Sequence, residues 1–545
     1  MAPVFADNYE HESILGKTIF DYADMFKVRV PTACGRTGEC HECIIEIKDG
    51  FDALNSPTLS EFFLQDNYRL ACQATLTDIK TRIEFATLRR QPKILTKSKN
   101  RIIANNPRVT KSGNNVLLAD GILDEYKGNI LGLAADIGTT TIVLSLIDLE
   151  TSETLITSSF ENPQKFGGSD VMNRISYDGS KNQGELKNVL ISSLNYEIGE
   201  MSKKISVHRR RIYDAVLVGN TTMRDILFGI DVQPIGQRPY KSNTQIEFEK
   251  GLRKTTSLDI SAKEIGLRIF PKARIYSGPL ISSHVGTDVS ADLIAISIDE
   301  SESNIMLVDI GTNTEVIIGN KHKMVATSCP AGPAFEGGQI TYGMPGYEGA
   351  IEKVRLTNGQ VEITTIGDAP AIGICGSGLV DLLAELKNMR LINDLGVFHD
   401  GINEFLLENN SRVSLSKSDI SALAQAKSAN YCGQYIALRH FQAPVDKLYL
   451  AGGFANYIDT KNAKDIGFIA NFPASKIEKS GNAALEGACI LLRSVDMREK
   501  LESLVHNIEH IELETTPDFF DIFVEGCMFK PMLNPVIYDN KKECL

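Results

Sequence analysis

Four cysteines near the start of the chain, Cys34, Cys40, Cys43 and Cys72, stand in a C-x5-C-x2-C-x28-C spacing within CGRTGECHEC and YRLACQA. Three thiolates on one tight loop and a distant fourth can wrap a two-iron cluster, because the loop converges its sulfurs while its backbone N–H groups turn inward towards them. Gly35 and Gly38 make such a loop sterically cheap. Four thiolates also suit tetrahedral Zn²⁺, although structural zinc sites usually present two short C-x2-C pairs rather than a three-cysteine loop. The residues alone leave cluster, zinc and unligated thiols open, in that order.

A second chemistry is written in a repeat. LAADIGTTTIVLSLIDL begins at Leu133 and IMLVDIGTNTEVIIG at Ile305, so the shared D-I-G-T-x-T cores start at Asp136 and Asp309, 173 residues apart. In each, an apolar strand runs into a glycine turn and out through threonines into another apolar strand. That is a β-hairpin whose tip can offer N–H groups and hydroxyls to phosphate oxygens. Asp136 and Asp309 are then placed to hold Mg²⁺, usually through its waters. One D-x-G-T could be any hairpin turn; two with matching flanks suggest two tips gripping a polyphosphate. LYLAGGFAN, residues 448–456, again follows an apolar strand, and Gly452 and Gly453 would let backbone approach a flat ring. Alone it could be any strand-to-helix turn. Glu336 and Asp288, in glycine-rich loops, are candidates for orienting an attacking water, with turn acids as the alternative.

These groups need several domains to hold them. A length of 545 residues exceeds a single core, and 43% hydrophobic with 23% charged residues is a globular composition. The net charge of −12 disfavours nucleic acid and anionic lipid as general partners. No stretch approaches 18 uninterrupted apolar residues, so no membrane span is predicted. The start, MAPVFADNYEHE, lacks the features of a signal peptide, and ten cysteines are too few for a disulfide scaffold, which makes the cytoplasm the expected compartment.

Residues 1–88 read as a small α+β domain, with strands around 43–47 and 82–85 and a helix around 20–26. Residues 89–130 read as a linker. Eight basic residues, Arg89, Arg90, Lys93, Lys97, Lys99, Arg101, Arg108 and Lys111, occur there without an acidic one until Asp120, as a solvated loop or as a dock for an acidic protein. Beyond it, strand-like runs alternate with amphipathic stretches such as 186–205 and 420–441, giving duplicated α/β layers over 131–298 and 299–540.

Residues 5–88 resemble the plant and adrenal type ferredoxins, which implies a β-grasp domain with a [2Fe-2S] cluster on Cys34, Cys40, Cys43 and Cys72. The first hairpin of that family is poorly marked in MAPVFADNYEHES. The D-I-G-T repeats and the third glycine motif resemble the ASKHA superfamily of acetate and sugar kinases, chaperone ATPases and actin. That resemblance implies RNase H-like domains binding ATP and Mg²⁺. Phosphate-1 would comprise Asp136, Gly138, Thr139, Thr140 and Thr141; phosphate-2, Asp309, Gly311, Thr312, Asn313 and Thr314; the adenosine loop, Gly452 and Gly453. GICGSGLVDLL, from Gly373, is similar to the second connecting helix, with Gly376 and Gly378 allowing close packing and Gly376 counted with the nucleotide residues.

End to end, the chain resembles the reductive activators of corrinoid proteins. Stretches that fit are ENPQKFGGSDVMNRI, VLVGNTTM, HVGTDVSADLIA and CPAGPAFEGGQITYGMPGYEGAIEKV. The resemblance implies ATP-dependent, one-electron reduction of a Co(II) corrinoid protein to Co(I) in support of a methyltransferase system such as an O-demethylase. It also implies a low-potential donor of ferredoxin or flavodoxin type, and a homodimer. The alternatives are a nucleotide-gated iron-sulfur redox sensor and an ATP-driven electron donor to a different low-potential enzyme. Only the amino-terminal cluster is expected, since the tail has only Cys527 and Cys544. Those two, with Cys329, Cys375, Cys432 and Cys489, read as core or surface residues.

Overall fold

The computed structural model describes residues 2–6, 9–88, 101–119, 121–357, 360–399, 401–407, 412–453 and 455–535. Cys544 and five of the basic residues of the presumed linker (Arg89, Arg90, Lys93, Lys97 and Lys99) lie outside the described residues.

In the amino-terminal domain β1 (Pro3–Ala6) and β2 (Tyr9–Glu12) pair as an antiparallel hairpin. The poorly marked hairpin is therefore present; all four residues of β2 are exposed, so it needs no apolar alternation to betray it. The helix Ile19–Phe26 begins at Thr18, whose hydroxyl accepts the Asp21 N–H while the Asp21 carboxylate accepts the Thr18 N–H. With β3 (Ile44–Asp49), β4 (Tyr68–Leu70) and β5 (Ile83–Thr87) the sheet order is β2-β1-β5-β3-β4, β1 and β5 parallel. This is the β-grasp arrangement implied by the ferredoxin resemblance.

Arg69 of β4 and Glu61 are both fully buried, and Glu61 also accepts the N–H groups of Leu70 and Thr58. Removing one partner strands the other's charge, so Glu61→Ala is expected to destabilise this domain by about 3–5 kcal/mol. Thermal bleaching of the visible absorption, occurring well below the wild-type temperature, is the measurement that checks it.

The reading of 89–130 as a linker requires correction in its second half, where β6 (Val109–Ser112), β7 (Asn115–Leu118) and β8 (Gly121–Glu125) form an antiparallel sheet. These strands are four or five residues long and bury only Val109 and Val116 fully, too few positions to show a period. Two of the basic residues are already engaged within the chain: Arg101 lies 2.7 Å from Asp299 and Arg108 2.6 Å from Asp259.

Two six-stranded sheets follow. The first contains β9 (Leu131–Ile137), β10 (Thr141–Asp148), β11 (Thr154–Glu161), β12 (Ile212–Val218), β13 (Leu258–Ser261) and β14 (Arg274–Ser277), in the order β11-β10-β9-β12-β14-β13. The second contains β15 (Ile305–Ile310), β16 (Thr314–Gly319), β17 (Met324–Cys329), β18 (Lys447–Ala451), β19 (Ile477–Gly481) and β20 (Ile508–His510), in the order β19-β18-β15-β16-β17-β20. Each half is a three-stranded antiparallel meander continued by two parallel strands, β12 and β14 in one, β18 and β19 in the other. The repeat in the sequence is thus a repeat of topology. All seven residues of β12 are buried, as a parallel strand covered on both faces requires.

The two long amphipathic stretches are the helices Glu185–Lys204 and Lys417–Phe441. Among the described residues no helix is long and apolar enough to cross a membrane.

Candidate functional site

The cysteine loop is held by left-handed backbone at Gly35, Arg36, Gly38 and His41. At Gly38 (φ +89) the left-handed backbone favours glycine, and a Cβ would also stand tightly, 3.0 Å from the end of the Gln73 side chain. Arg36 lies over the Phe20 ring, 4.0 Å from its centroid, and 2.5 Å from Asp24, tying the loop to the first helix. The Sγ atoms of Cys43 and Cys72 are 3.4 Å apart, and Cys34 lies beside Cys40. The four sulfurs therefore meet as two pairs.

Hydrogen-bond donors face these sulfurs. The Ala33 N–H points at Cys40 Sγ (3.4 Å) and the Gln73 amide at Cys72 Sγ (3.4 Å). Against the burial that opposes it, hydrogen bonds from Thr37 and from the Cys40 and Gly38 backbone bring the Cys34 thiol down to about 5. The contact with Cys43 brings Cys72 down to about 7 and pushes Cys43 up. Two sulfur pairs ringed by N–H donors suit two bridged irons, one pair to each; a single Zn²⁺ would draw all four sulfurs to one point.

The cleft between the two α/β halves encloses a cavity of about 460 Å³. Both hairpin tips reach it, and Asp136, Gly138, Thr139, Thr140, Thr141, Asp309, Gly311, Thr312, Asn313, Gly376, Gly452 and Gly453 all line it. Thr314 does not: it is fully buried in β16 with its hydroxyl unpaired by any described residue. The two glycines of the third motif differ. Gly452 (φ +101) seats its strand on the phosphate-2 hairpin, where a Cβ would fall 2.1 Å from the Ile310 carbonyl; Gly453 faces open space.

Glu336 joins the two tips. Its carboxylate accepts the Thr140 hydroxyl (3.0 Å) and the Thr312 hydroxyl, and those two oxygens are 3.4 Å apart. Asp288 also lines the cleft, so both water-orienting candidates are at the site.

Three asparagines that sequence reasoning left without a role hold the first tip. Asn162, Asn220 and Asn482 each cap a helical turn, the side-chain oxygen accepting the N–H of Gln164, Met223 and Leu485 respectively. Their amide N–H groups then donate to the Gly138 carbonyl (2.8 Å), the Thr139 hydroxyl (2.9 Å) and the Asp136 carboxylate (2.8 Å). Arg174, buried on the helix Val171–Asp178, donates to the Thr139 carbonyl at 2.7 Å. Asparagine is a residue type that favours helix starts, so a cap is a local signal, whereas the target of the amide depends on distant strands.

Burial pushes three carboxyls of the cleft up: Asp136 to about 7, with Asn482 opposing and the Asp309 charge adding; Asp309 to about 6, with Asp292 opposing; and Asp288 to about 8, with Asp309 and Asp136 adding. Each value lies above the ordinary aspartate value of about 3.9, so the fold binds these protons more tightly than the unfolded chain. Their contribution to stability is complete below about pH 4 and is lost as pH rises through about 6 to 8. The thermal midpoint of protein free of nucleotide and divalent cation should fall between pH 6 and pH 8, and differential scanning fluorimetry checks this.

The cysteine loop and the cleft are joined by one interface. His41 and Glu42, between Cys40 and Cys43, meet the helix Glu185–Lys204: His41 Nδ1 is 3.1 Å from Glu185 and Glu42 accepts the Ser192 hydroxyl. Phe63 packs edge-on against Phe166, and its carbonyl accepts the Tyr177 hydroxyl.

Three family models match the chain: a 2Fe-2S iron-sulfur cluster binding domain over residues 7–77, the RACo middle region over 131–301, and the C-terminal, ASKHA domain of RACo over 303–536. The chain is 31% identical over 435 residues to "Corrinoid activation enzyme RamQ" of Eubacterium limosum, covering 74% of this chain and 71% of the relative. It is 21% identical over 424 residues to a "[Co(II) methylated amine-specific corrinoid protein] reductase" of Methanosarcina barkeri, covering 72% and 76%. Among solved structures, a "Reductive activator for corrinoid,iron-sulfur protein" matches with a TM-score of 0.69 and 26% identity, over 97% of this chain and 99% of that one.

Proposed function

Since this chain belongs to the RACo family, we propose that it reduces the inactive Co(II) state of a corrinoid protein to Co(I), one electron at a time, at the expense of ATP. The observation that carries this reading is the presence on one chain of two paired sets of sulfurs and a two-tipped phosphate clamp closed by Glu336. Cys34 with Cys40, and Cys43 with Cys72, would hold a [2Fe-2S] cluster. When bound, such a cluster passes single electrons at a potential near about −400 mV.

Co(I) is a poor holder of electrons, so transfer to the corrinoid substrate runs uphill. Each shortfall of about 59 mV lowers the equilibrium constant tenfold, and roughly 100 mV corresponds to about 2.3 kcal/mol. A two-lobed clamp can supply that energy if nucleotide prefers one arrangement of the lobes over the other.

In the clamp, Thr139, Thr140, Thr312 and Asn313 would bind phosphate oxygens. Asp136 and Asp309 would place the waters of a Mg²⁺ ion, Asp136 being oriented by Asn482. Gly453, open to the cleft, would border the adenine, and Gly376 begins the helix Gly376–Asn388 at the cleft's edge. Glu336, between the tips, is better placed than Asp288 to orient an attacking water.

The client is a corrinoid protein of a methyltransferase system, an O-demethylase among the candidates, with electrons drawn from a ferredoxin- or flavodoxin-type donor. The protein would act in the cytoplasm as a homodimer. The test is direct: reduced protein mixed anaerobically with a Co(II) corrinoid protein should develop the Co(I) spectrum with Mg-ATP and not without it. Equal Co(I) formation in nucleotide-free buffer would defeat the proposal.

A further inference from the structure

Behind the clamp lies a second cavity of about 260 Å³, which shares Thr139, Thr140 and Glu336 with the first. Its far wall belongs to the amino-terminal domain: Glu46 and Lys48 of β3, with Ala86 and Thr87 of β5. The strand that follows Cys43 therefore faces the phosphate tips across one small chamber.

A single stretch, residues 161–178, touches both sides. At one end Asn162 and Arg174 hold the Gly138 and Thr139 carbonyls. At the other, Phe166 and Tyr177 hold Phe63, and the Phe63 ring stacks on His41 at 4.1 Å between centroids. Arg174 and Tyr177 are three residues apart on the helix Val171–Asp178 and so share one face of a rigid element. A shift of Arg174 is then a shift of Tyr177.

The tips must move when phosphate enters between them. Thr140 and Thr312 oxygens stand 3.4 Å apart, in contact, and each donates its single hydroxyl proton to Glu336, so an anionic phosphate entering between them must break both bonds and displace the carboxylate. Parting the tips also separates them from Glu336 and carries the Thr139 carbonyl, which Arg174 grips.

We propose that the amino-terminal domain is the movable back wall of the nucleotide cleft, and that the helix Val171–Asp178 transmits the parting of the phosphate tips to its seat, so that nucleotide loosens the domain. The inference rests on the reading that the cleft binds nucleotide. Loosening frees the face carrying His41 and Glu42, which the seated position covers. By reciprocity, a weaker seat strengthens nucleotide binding by the same factor.

The test uses full-length protein with its cluster and the Mg²⁺ complex of a non-hydrolysable ATP analogue. Hydrogen exchange at residues 40–43 and 62–64 should speed up when the analogue is added. Tyr177→Phe, which loses the bond to the Phe63 carbonyl, should show faster exchange there without nucleotide. It should bind the analogue about fivefold more tightly, the change expected for one hydrogen bond, with an unaltered visible spectrum. Glu185→Gln, opposite His41, carries the same expectation should Tyr177→Phe not fold.

Unchanged affinity and exchange in the folded variants would overturn the inference. Analogue binding to the wild type without faster exchange at 40–43 would overturn it alone. Absence of binding would overturn it together with the proposed function.

Discussion

Asp309→Asn should lower ATP-dependent Co(I) formation by about 10²- to 10³-fold, the range seen when one electrostatic contact to a transition state is removed, while leaving the visible spectrum of the protein intact. Asp309 is the penultimate residue of β15, the first strand of the second meander, where β15 lies parallel to β18 and the chain turns into the phosphate-2 tip. Asparagine keeps the shape of the side chain and deletes its charge. Burial raises the Asp309 carboxyl to about 6, which still leaves it largely ionised at pH 7.5 and able to attract a cation into the cleft it lines.

Two measurements on the variant separate loss of clamp from loss of fold: the iron-sulfur absorption, whose ligands lie in another domain, and nucleotide affinity with and without Mg²⁺. Affinity should fall chiefly in the presence of Mg²⁺. Wild-type turnover, or an affinity loss that does not depend on Mg²⁺, would remove Asp309 from the role assigned to it.

What the sequence disclosed follows from how far each interaction reaches. The phosphate tips were legible because a D-I-G-T hairpin is local: the strand, turn and return strand are consecutive, and Gly138 bonds the Thr141 carbonyl three residues on. Thr314 was misjudged within the same motif, since β16 begins there and alternation turns its side chain into the core. The cysteine set was legible by spacing, yet the pairing of Cys43 with Cys72 depends on β3 and β4 lying side by side.

Asn162 and Arg174 come from one stretch of the first half and Asn220 from another, while Asn482 reaches the tip from the second half only because the two halves close on one another. A cap residue announces where a helix begins, not what the other end of its amide will touch. The sheet β6–β8 escaped notice for a different reason: its strands bury one face shallowly against the middle domain, so the hydrophobic period that marks an element is cut to one or two residues.

Cys72→Ser should reduce Co(I) formation to the level of protein-free controls and remove the visible bands. Iron and sulfide should fall from two of each per chain towards zero, and nucleotide binding should be retained. In the proposed site Cys72 is the one cysteine that arrives from outside the loop, just past β4, where its sulfur pairs with that of Cys43. A serine oxygen is a harder donor on a shorter bond, and its proton is far harder to remove than that of a thiol already brought down to about 7. The pair would be left with one competent sulfur. The fold need not suffer, because the core of the domain is built on Ile45, Leu70, Phe63 and Phe85, none of which depends on the sulfur. Loss of electron transfer with intact nucleotide binding would show that the clamp and the cysteine loop are separable machines joined only by their interface. Retention of Co(I) formation by Cys72→Ser, or one zinc and no iron in the wild type, would end the assignment of this loop as the electron port.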